Sequence, residues 1–212
     1  MQTDIIFSLV VLIFSVILHE VAHGYMANWL GDPTARLQGR LTLNPLVHID
    51  PIGSVLLPAA LILSGSPMLI GYAKPVPYNP YNLSGEYDEA LVAFAGPATN
   101  ILLALLFGLT LRFAGTSLPP GLSSAFATIV LVNLVLALFN LIPIPPLDGS
   151  KALQALLPRN MAAAYERFRR RLEHIGVFTM TIIIVIVFYF LLLPYFYELI
   201  TWLFLLLTGS AI

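Results

Sequence analysis

The stretch Ile5–Leu30 reads IIFSLVVLIFSVILHEVAHGYMANWL, and it is long and apolar enough to cross a lipid bilayer as one helix. The whole chain of 212 residues is 58% hydrophobic and only 10% charged, with a mean hydropathy of +0.89. A soluble domain carries roughly 25% charged residues. The composition therefore excludes a soluble enzyme and predicts an all-α polytopic membrane protein. Five further apolar segments follow, at residues 52–70, 90–114, 122–142, 175–193 and 195–212.

The charged residues and the lack of cysteine narrow the class further. The formal net charge is −1 with 10 lysines and arginines, too few for a basic surface over a phosphate backbone, so no nucleic-acid partner is expected. The absence of cysteine means that any metal site must use His, Asp or Glu. The first apolar segment has no basic flank and no cleavage site, so we expect it to remain in the protein. We expect one membrane-embedded domain over residues 1–212, with its core at about 5–157 and C-terminal helices at about 175–212.

The sequence His19-Glu20-Val21-Ala22-His23, near the end of the first segment, is typical of a zinc site on a helix. Residues four apart lie on one helix face, so both imidazoles can bind one metal ion while Glu20 lies beside it as a candidate base. The alternative is a pair of histidines packed against neighbouring helices. Inside a membrane that alternative is the weaker one, because each of these polar side chains needs a partner in hydrocarbon.

A hydrolytic zinc site needs three protein ligands and an open position for water, and Asp148 is the best candidate for the third ligand. No further histidine follows at a suitable spacing, since His48 and His174 lie in polar connections. Asp148 ends the stretch NLIPIPPLDG, in which three prolines break the helix and Gly149 permits a close backbone approach. Asp is also a favoured helix N-cap residue, and from position alone that alternative is equally good.

Together these motifs resemble the site-2 proteases, the zinc metalloproteases of membranes, in their short prokaryotic form without PDZ or CBS domains. The resemblance implies that His19, His23 and Asp148 bind one Zn²⁺ per chain and that Glu20 is the catalytic residue. It also implies a multi-pass protein of the cell (plasma or inner) membrane whose substrates are transmembrane proteins. The matching stretches are HEVAH at 19–23, GRLTLNPLVHIDPIG at 39–53, GYAKPVPYNP at 71–80, GPATN at 96–100 and NLIPIPPLDG at 140–149.

A shared metal ion would constrain how the chain crosses the membrane. His23 lies toward the end of the first segment and Asp148 follows the fourth, so three full crossings between them would put them on opposite sides. One segment must therefore not cross, and 52–70, with Pro58 in its middle, is the best candidate. Nine of the 10 basic residues then lie on the side of the metal site, and only Arg112 lies on the other. We expect five to six transmembrane segments, a short β-strand or re-entrant region near the site, an external N-terminus and a cytoplasmic active site.

Several polar residues outside the metal motif also have candidate roles. Asn140 lies just before the proline-broken stretch, and we expect its amide to donate to the scissile carbonyl or its oxyanion. For Asn100, Asn133 and Asn140 alike, a hydrogen bond to another helix is the simpler alternative. His48 and Asp50 are two residues apart, a spacing that suits neither one helix face nor a zinc turn. We therefore expect a structural or interface role for both rather than a second metal site.

Residues 72–80, YAKPVPYNP, should be extended because each proline disfavours helix at itself and at the preceding residue. An ordinary surface loop and a substrate-binding edge strand are both compatible with this sequence. In the second interpretation Tyr72, Ala73, Lys74 and Val76 pair with an unwound substrate by β-addition. The alternating residues 36–43 could form strands nearby.

The resulting hypothesis is a zinc endopeptidase that hydrolyses peptide bonds within or near transmembrane segments. In it, Glu20 moves a proton from water to the leaving nitrogen. The alternative from another class is an inactive relative that binds transmembrane helices as an adaptor or quality-control factor. A zinc or proton transporter fits less well, because only one metal site and no ladder of ionisable residues is present. The expected partners are a transmembrane protein substrate and the lipid bilayer, while the oligomeric state is left open.

Overall fold

A computed structural model describes residues 2–56, 63 and 73–210 of the chain. Every regular element in these ranges is a helix, which confirms the all-α class. The α-helices are α1 Gln2–Trp29, α2 Thr34–Leu37, α3 Asp88–Ala114, α4 Pro120–Asn140, α5 Asp148–Leu156, α6 Arg159–Glu173, α7 Val177–Val187 and α8 Leu193–Thr208. Short 3-10 turns lie at Pro45–His48, Pro80–Asn82 and Gly115–Ser117, and π-helical turns lie at Pro51–Leu56 and Phe188–Leu192.

The described helices include four stretches that are long and apolar enough to span a membrane. The chain is therefore a multi-pass membrane protein, as its composition indicates. The first three stretches match the segments expected at 5–30, 90–114 and 122–142. The segment at 52–70 lies largely outside the described residues, so the number of five to six segments stays a prediction. The four stretches are Ile5–Trp29, Asp88–Ser117, Pro120–Asn140 and Ile182–Thr208.

The two apolar segments expected at 175–193 and 195–212 join into a single helical stretch. Helix α7 passes through the π-helical turn Phe188–Leu192 directly into α8. Pro194 lies in the first turn of α8, where the wider π-helical turn before it accommodates the missing N–H and the ring. The proline therefore separates no pair of spans.

Helix α3 lies between α1 and α4 and runs antiparallel to both. His23, near the end of α1, contacts the carbonyl of Val92, near the start of α3. Farther along, Asn100 of α3 lies between Ser15 of α1 and Asn133 of α4. The end of α1, the start of α3 and the end of α4 therefore lie together at one end of the bundle, which we call the site end.

The opposite end of the bundle, the far end, contains the turn between α3 and α4 and the end of α8. Arg112 of α3 donates a hydrogen bond to the carbonyl of Leu206 at 2.6 Å. The ring of Phe188, just before α8, packs at 5.3 Å against that of Phe139 at the site end, so α8 runs from the site end to the far end. The connection from α1 to α3 begins and ends at the site end, as the expected lack of a net crossing requires.

Residues 36–43 do not form the strand that their alternating pattern suggested. The carboxylate of Asp32 accepts hydrogen bonds from the N–H and hydroxyl of Thr34, which starts α2 one residue after a proline. Gly39 has a φ of +65°, and its N–H and that of Arg40 bond back to carbonyls of α2 in a Schellman motif. These local signals that start and stop the helix outweigh the alternation of apolar and polar residues. No strand occurs within residues 2–56 or 73–210.

Candidate metal centre

Three potential ligand side chains meet at the site end of the bundle. His19 and His23 lie one turn apart on α1, and Asp148 is the first residue of α5. The two Nε2 atoms are 3.0 Å apart, and they lie 3.1 Å and 3.3 Å from the same carboxylate oxygen of Asp148. Both histidines are buried, with 5% and 9% of their surface exposed. The structure thus brings together the three residues that the sequence predicted as ligands.

The outer nitrogen of each imidazole fixes which ring nitrogen points at the centre. His23 Nδ1 lies 2.6 Å from the carbonyl of Val92, which can only accept, so this nitrogen must carry the proton. His19 Nδ1 lies 2.5 Å from the side-chain oxygen of Asn100. Both rings in their neutral form therefore present the lone pair of Nε2 toward Asp148.

A chain of buried side chains sets the orientation of the Asn100 amide. Asn133 donates from Nδ2 to the carbonyl of Ile129 at 2.9 Å and to the hydroxyl of Ser15 at 3.0 Å. Its oxygen therefore faces Asn100 and accepts a hydrogen bond from Asn100 Nδ2 at 2.8 Å. The Asn100 oxygen must then face His19 and accept the Nδ1 proton. Hydrogen bonds between helices, the simpler alternative for Asn100 and Asn133, are thus what the structure contains.

The donor set and its spacing fit a zinc ion. Two nitrogen lone pairs and a carboxylate oxygen point at one another, an arrangement that a cation between them would stabilise. Zinc held at about 2.0–2.1 Å by three ligands of a tetrahedron keeps the ligand atoms roughly 3.3 Å apart, close to the separations of 3.0–3.3 Å. His, His and carboxylate are also a ligand set found in catalytic zinc sites, with the fourth position open.

Asp148 is not an N-cap, because α5 begins at Asp148 itself and Leu147 occupies the cap position. Burial raises the pKa of the Asp148 carboxyl, but the hydrogen bonds and charges of His19 and His23 outweigh it and hold the pKa below its usual range. The carboxyl is therefore ionised at neutral pH, as a metal ligand must be.

Two glycines allow the three ligands to approach this closely. A Cβ on Gly96 of α3 would contact Nε2 of His23 and lie 2.6 Å from Nε2 of His19. A Cβ on Gly149 would collide with the carbonyl of Leu141. Gly96 therefore packs against the two imidazoles.

Glu20 is joined to the proline-rich segment, residues 73–80, rather than to another helix. Its carboxylate accepts a hydrogen bond from the N–H of Val76 at 2.9 Å. The Val76 side chain is buried over Gly24, one turn after Glu20 on α1, where a Cβ would lie 2.7 Å from a Val76 methyl group. The segment therefore lies along α1 beside His19, His23 and Asp148, the three residues that we call the metal group.

Arg40 and His48 hold the first part of the proline-rich segment, which comes before Val76. Arg40 is buried and donates to the carbonyls of Lys74 at 2.8 Å and Pro75 at 3.2 Å. The N–H of Lys74 donates to the carbonyl of His48, whose imidazole bonds to the carbonyl of Thr42. His48 thus has the structural role that was expected of it.

Asp32 holds the other end of the segment and was missed by the sequence analysis. It is fully buried, and its carboxylate accepts from the Asn79 N–H and the Asn82 amide, both at 2.7 Å. Burial raises the pKa of Asp32, but the hydrogen bonds from Thr34, Asn79 and Asn82 lower it below its usual value. Asp-Pro-Thr after a helix resembles an ordinary turn, so only the need for a buried carboxylate partner could have marked it.

The remaining residues that the sequence analysis singled out are not among the three candidate ligands and make contacts of other kinds. The Asn140 amide donates to the carbonyl of Leu136 in its own helix at 2.9 Å. Asp50 accepts from the N–H of Gly53 at 2.7 Å, a structural contact. Tyr72 lies outside the described residues, whereas Ala73, Lys74 and Val76 lie in the segment held by Arg40 and Glu20.

Several known proteins are similar to this chain in sequence. The family model described as peptidase family M50 matches residues 110–187. "Putative zinc metalloprotease YwhC" of Bacillus subtilis is 40% identical over 162 residues, which cover 73% of this chain and 70% of that protein. Rip2 of Mycolicibacterium smegmatis, with the same designation, is 35% identical over 67% of this chain and 54% of its own length. No solved structure matches the chain.

The fold and the site define a multi-pass membrane protein with a buried metal centre of the zinc metalloprotease type. The similarity to YwhC covers more than two thirds of both chains. The chain belongs to peptidase family M50, the site-2-type zinc metalloproteases.

Proposed function

We propose that the chain is an intramembrane protease that hydrolyses peptide bonds within or near transmembrane segments of membrane proteins. The observation that carries the proposal is the depth of the metal group. His19 and His23 precede the end of the first span at Trp29 by 10 and 6 residues, which on a helix is about 15 Å and 9 Å. A protease with its site at this depth needs substrates that enter the membrane.

The proposed ligands are His19, His23 and Asp148, holding one zinc ion per chain. When bound there, zinc supplies a Lewis acid that polarises a peptide carbonyl and makes a water molecule more acidic. Glu20 lies between the two histidines in sequence and accepts the proton of the attacking water. It then delivers that proton to the leaving nitrogen.

The proposed substrate-binding segment is residues 72–80, with Tyr72, Ala73, Lys74 and Val76 as its contacts. A transmembrane helix hides its peptide N–H and C=O groups in its own hydrogen bonds, so it must be unwound and paired with other partners before cleavage. Pro75 and Pro77 carry no N–H. Val76 therefore offers the amide donor nearest Glu20, and a substrate paired with it lies beside the proposed base.

Asn140 is proposed to donate to the scissile carbonyl or its oxyanion. It lies at the site end, at the last residue of α4 and eight residues before Asp148. Because its amide is bonded to Leu136, this role requires the side chain to exchange that hydrogen bond for the substrate.

We also propose that the protein lies in the cell membrane with its site end toward the cytoplasm. The positive-inside rule supports this orientation, because the segments at the site end contain all the basic residues except Arg112. Those nine residues are Arg36, Arg40, Lys74, Lys151, Arg159, Arg167, Arg169, Arg170 and Arg171.

The test is turnover by the purified protein in liposomes. A panel of single-span model substrates is incubated with zinc-loaded wild type and with Glu20→Gln, and fragments are identified by mass spectrometry. We expect cleavage within or near the apolar stretch by wild type only. If the protein binds these transmembrane helices but cleaves none of the substrates in the panel, the proposed protease activity is wrong. That result would support an adaptor.

A further inference from the structure

A cavity of about 530 Å³ opens at the site end, beside the metal group rather than at it. It lies between the proline-rich segment, the start of α3 and the helices α5 and α6. The charged and aromatic residues lining it are Tyr78, Glu89, Lys151, Arg169, Arg170 and His174.

The cavity has an excess of positive charge. Arg169 is 3.6 Å from the carboxylate of Glu89, and Arg170 pairs with Glu166 within α6. The Lys151 ammonium lies 4.9 Å from the centre of the Tyr78 ring, a cation–π contact. Within residues 2–56 and 73–210 it has no ion pair with a carboxylate. Lys151 is therefore the cation best able to accept a new anionic partner.

Lys151 also retains its charge. Burial lowers the pKa of its ammonium, but the Tyr78 side chain and the carboxylates of Asp148 and Glu89 raise the pKa above its usual value. The Tyr78 hydroxyl lies 3.4 Å from Glu89, so this carboxylate has Tyr78 and Arg169 as partners, and the partner of the Lys151 ammonium is the Tyr78 side chain.

The cavity lies close to the place where a substrate strand paired with the proline-rich segment would run. Lys151 follows Asp148 by three residues, so both lie on one face of α5, one turn apart. Tyr78 follows Val76 by two residues, which in an extended chain is about 6.5 Å. A substrate strand aligned with the segment and cut beside Glu20 would bring a residue two or three positions away to the cavity.

We propose that this cavity is a substrate subsite for an acidic side chain, Asp or Glu, two or three residues from the scissile bond. The inference rests on the proposed function, since it names a feature of the substrate cut at that site. The substrate carboxylate pairs with the Lys151 ammonium.

The experiment compares model substrates that differ at one position, with Glu, Gln or Lys two or three residues on either side of the scissile bond. We expect wild type to cleave one Glu substrate with a kcat/KM about tenfold above its Gln counterpart. Lys151→Met should remove this ratio, and Lys151→Glu should favour the Lys substrate instead. Arg171→Gln, an exposed position on α6 that does not line the cavity, is the control that keeps the wild-type ratio.

The outcomes separate this subsite from the protease activity itself. If no substrate is cleaved, the proposed function fails; if substrates are cleaved but wild type and Lys151→Met share one Glu-to-Gln ratio, only the subsite fails. Zinc content shows whether each variant is folded. Measurements in phosphatidylcholine vesicles with and without phosphatidylglycerol test for a lipid occupant. A wild-type rate that depends on phosphatidylglycerol through Lys151, without any substrate preference, would overturn the proposal.

Discussion

The carboxylate of Glu20 accepts a hydrogen bond from the backbone N–H of Val76 at 2.9 Å. The proposed base and the proposed substrate segment are therefore in direct contact. A substrate strand that pairs with Val76 has to replace this hydrogen bond, and the replacement frees the carboxylate. We expect Glu20 to become available as a base when a substrate is in position beside it.

Replacing Glu20 by Gln should abolish cleavage without removing zinc. The amide oxygen can still accept from the Val76 N–H, but the side chain cannot take a proton from water. Loss of general base catalysis lowers rates by about 10²–10⁴-fold. The check is the cleavage rate together with zinc per chain by elemental analysis, and near-normal cleavage by this variant would contradict the assignment.

Asp148→Ala should lose the metal. Wild type is expected to hold about one zinc per chain, and removing one of three protein ligands should sharply lower that occupancy. Elemental analysis after gel filtration measures it without any knowledge of the substrate. Glu166→Gln, at an acidic residue of α6 that pairs with Arg170, is the matched control and should retain the ion. Full zinc retention by Asp148→Ala would mean that another residue completes the site.

Asn100→Leu should weaken zinc binding, although Asn100 touches no metal. Its oxygen accepts the Nδ1 proton of His19, and loss of such an outer partner typically costs 10–100-fold in metal affinity. A competition titration with a chelator measures the change. Thr99→Val is the control, because the neighbouring hydroxyl bonds to the carbonyl of Ala95 in its own helix. Equal affinities in the two variants would remove Asn100 from the site.

Asp32→Asn should raise KM more than it lowers kcat and should leave zinc in place. The change removes the charge that holds Asn79 and Asn82, so the substrate segment loses an anchor while the metal group keeps its contacts. Steady-state kinetics with one model substrate separate the two effects. A fall in kcat alone, with KM unchanged, would contradict a positioning role.

The Asp32 anchor also predicts an acid dependence. The folded-state pKa of Asp32 is lower than its ordinary value of 3.8. Its contribution to stability is therefore fully present above that ordinary value and is lost as the pH falls through the folded-state pKa. Asp32→Asn should lack this part of the acid destabilisation in a pH series of thermal unfolding, and an unchanged acid profile would argue against the anchor.

Single cysteines at the two ends of the bundle should react from opposite faces of the membrane. The chain has no cysteine of its own, so Gln38→Cys at the site end and Thr116→Cys at the far end each give one signal. In intact cells an impermeant maleimide should label only position 116, and position 38 should react after permeabilisation. The reverse pattern would place the site end outside the cell.

The metal group could be predicted from the sequence because the residue types and the spacing that a zinc site needs are visible there. His-Glu-x-x-His fixes two ligands by helix periodicity, and the requirement for a third ligand at the same metal ion selects Asp148 and fixes the crossing pattern of α1 and α4. Asn100 and Asn133 were recognisable as costly in a membrane, but which groups they would bond was not.

Other features depend on contacts between distant residues, which no local pattern carries. The contact of Glu20 with Val76 joins residues 56 positions apart, and that of Asp32 with Asn79 joins residues 47 positions apart. Residues 36–43 alternate like a strand, yet Gly39 and the Asp32 side chain impose a helical turn. The break expected at Pro194 is absent because a π-helical turn accommodates the proline.

The close approach of Gly96 to both imidazoles means that activity can be lost without any change in the ligands. A single methyl group there would occupy the space of the His19 and His23 rings. Such a chain would keep every ligand residue, but its two imidazoles could no longer hold the positions that bring their Nε2 atoms together. In this chain the His-Glu-x-x-His signature therefore depends on the glycine that the opposite helix carries at this position.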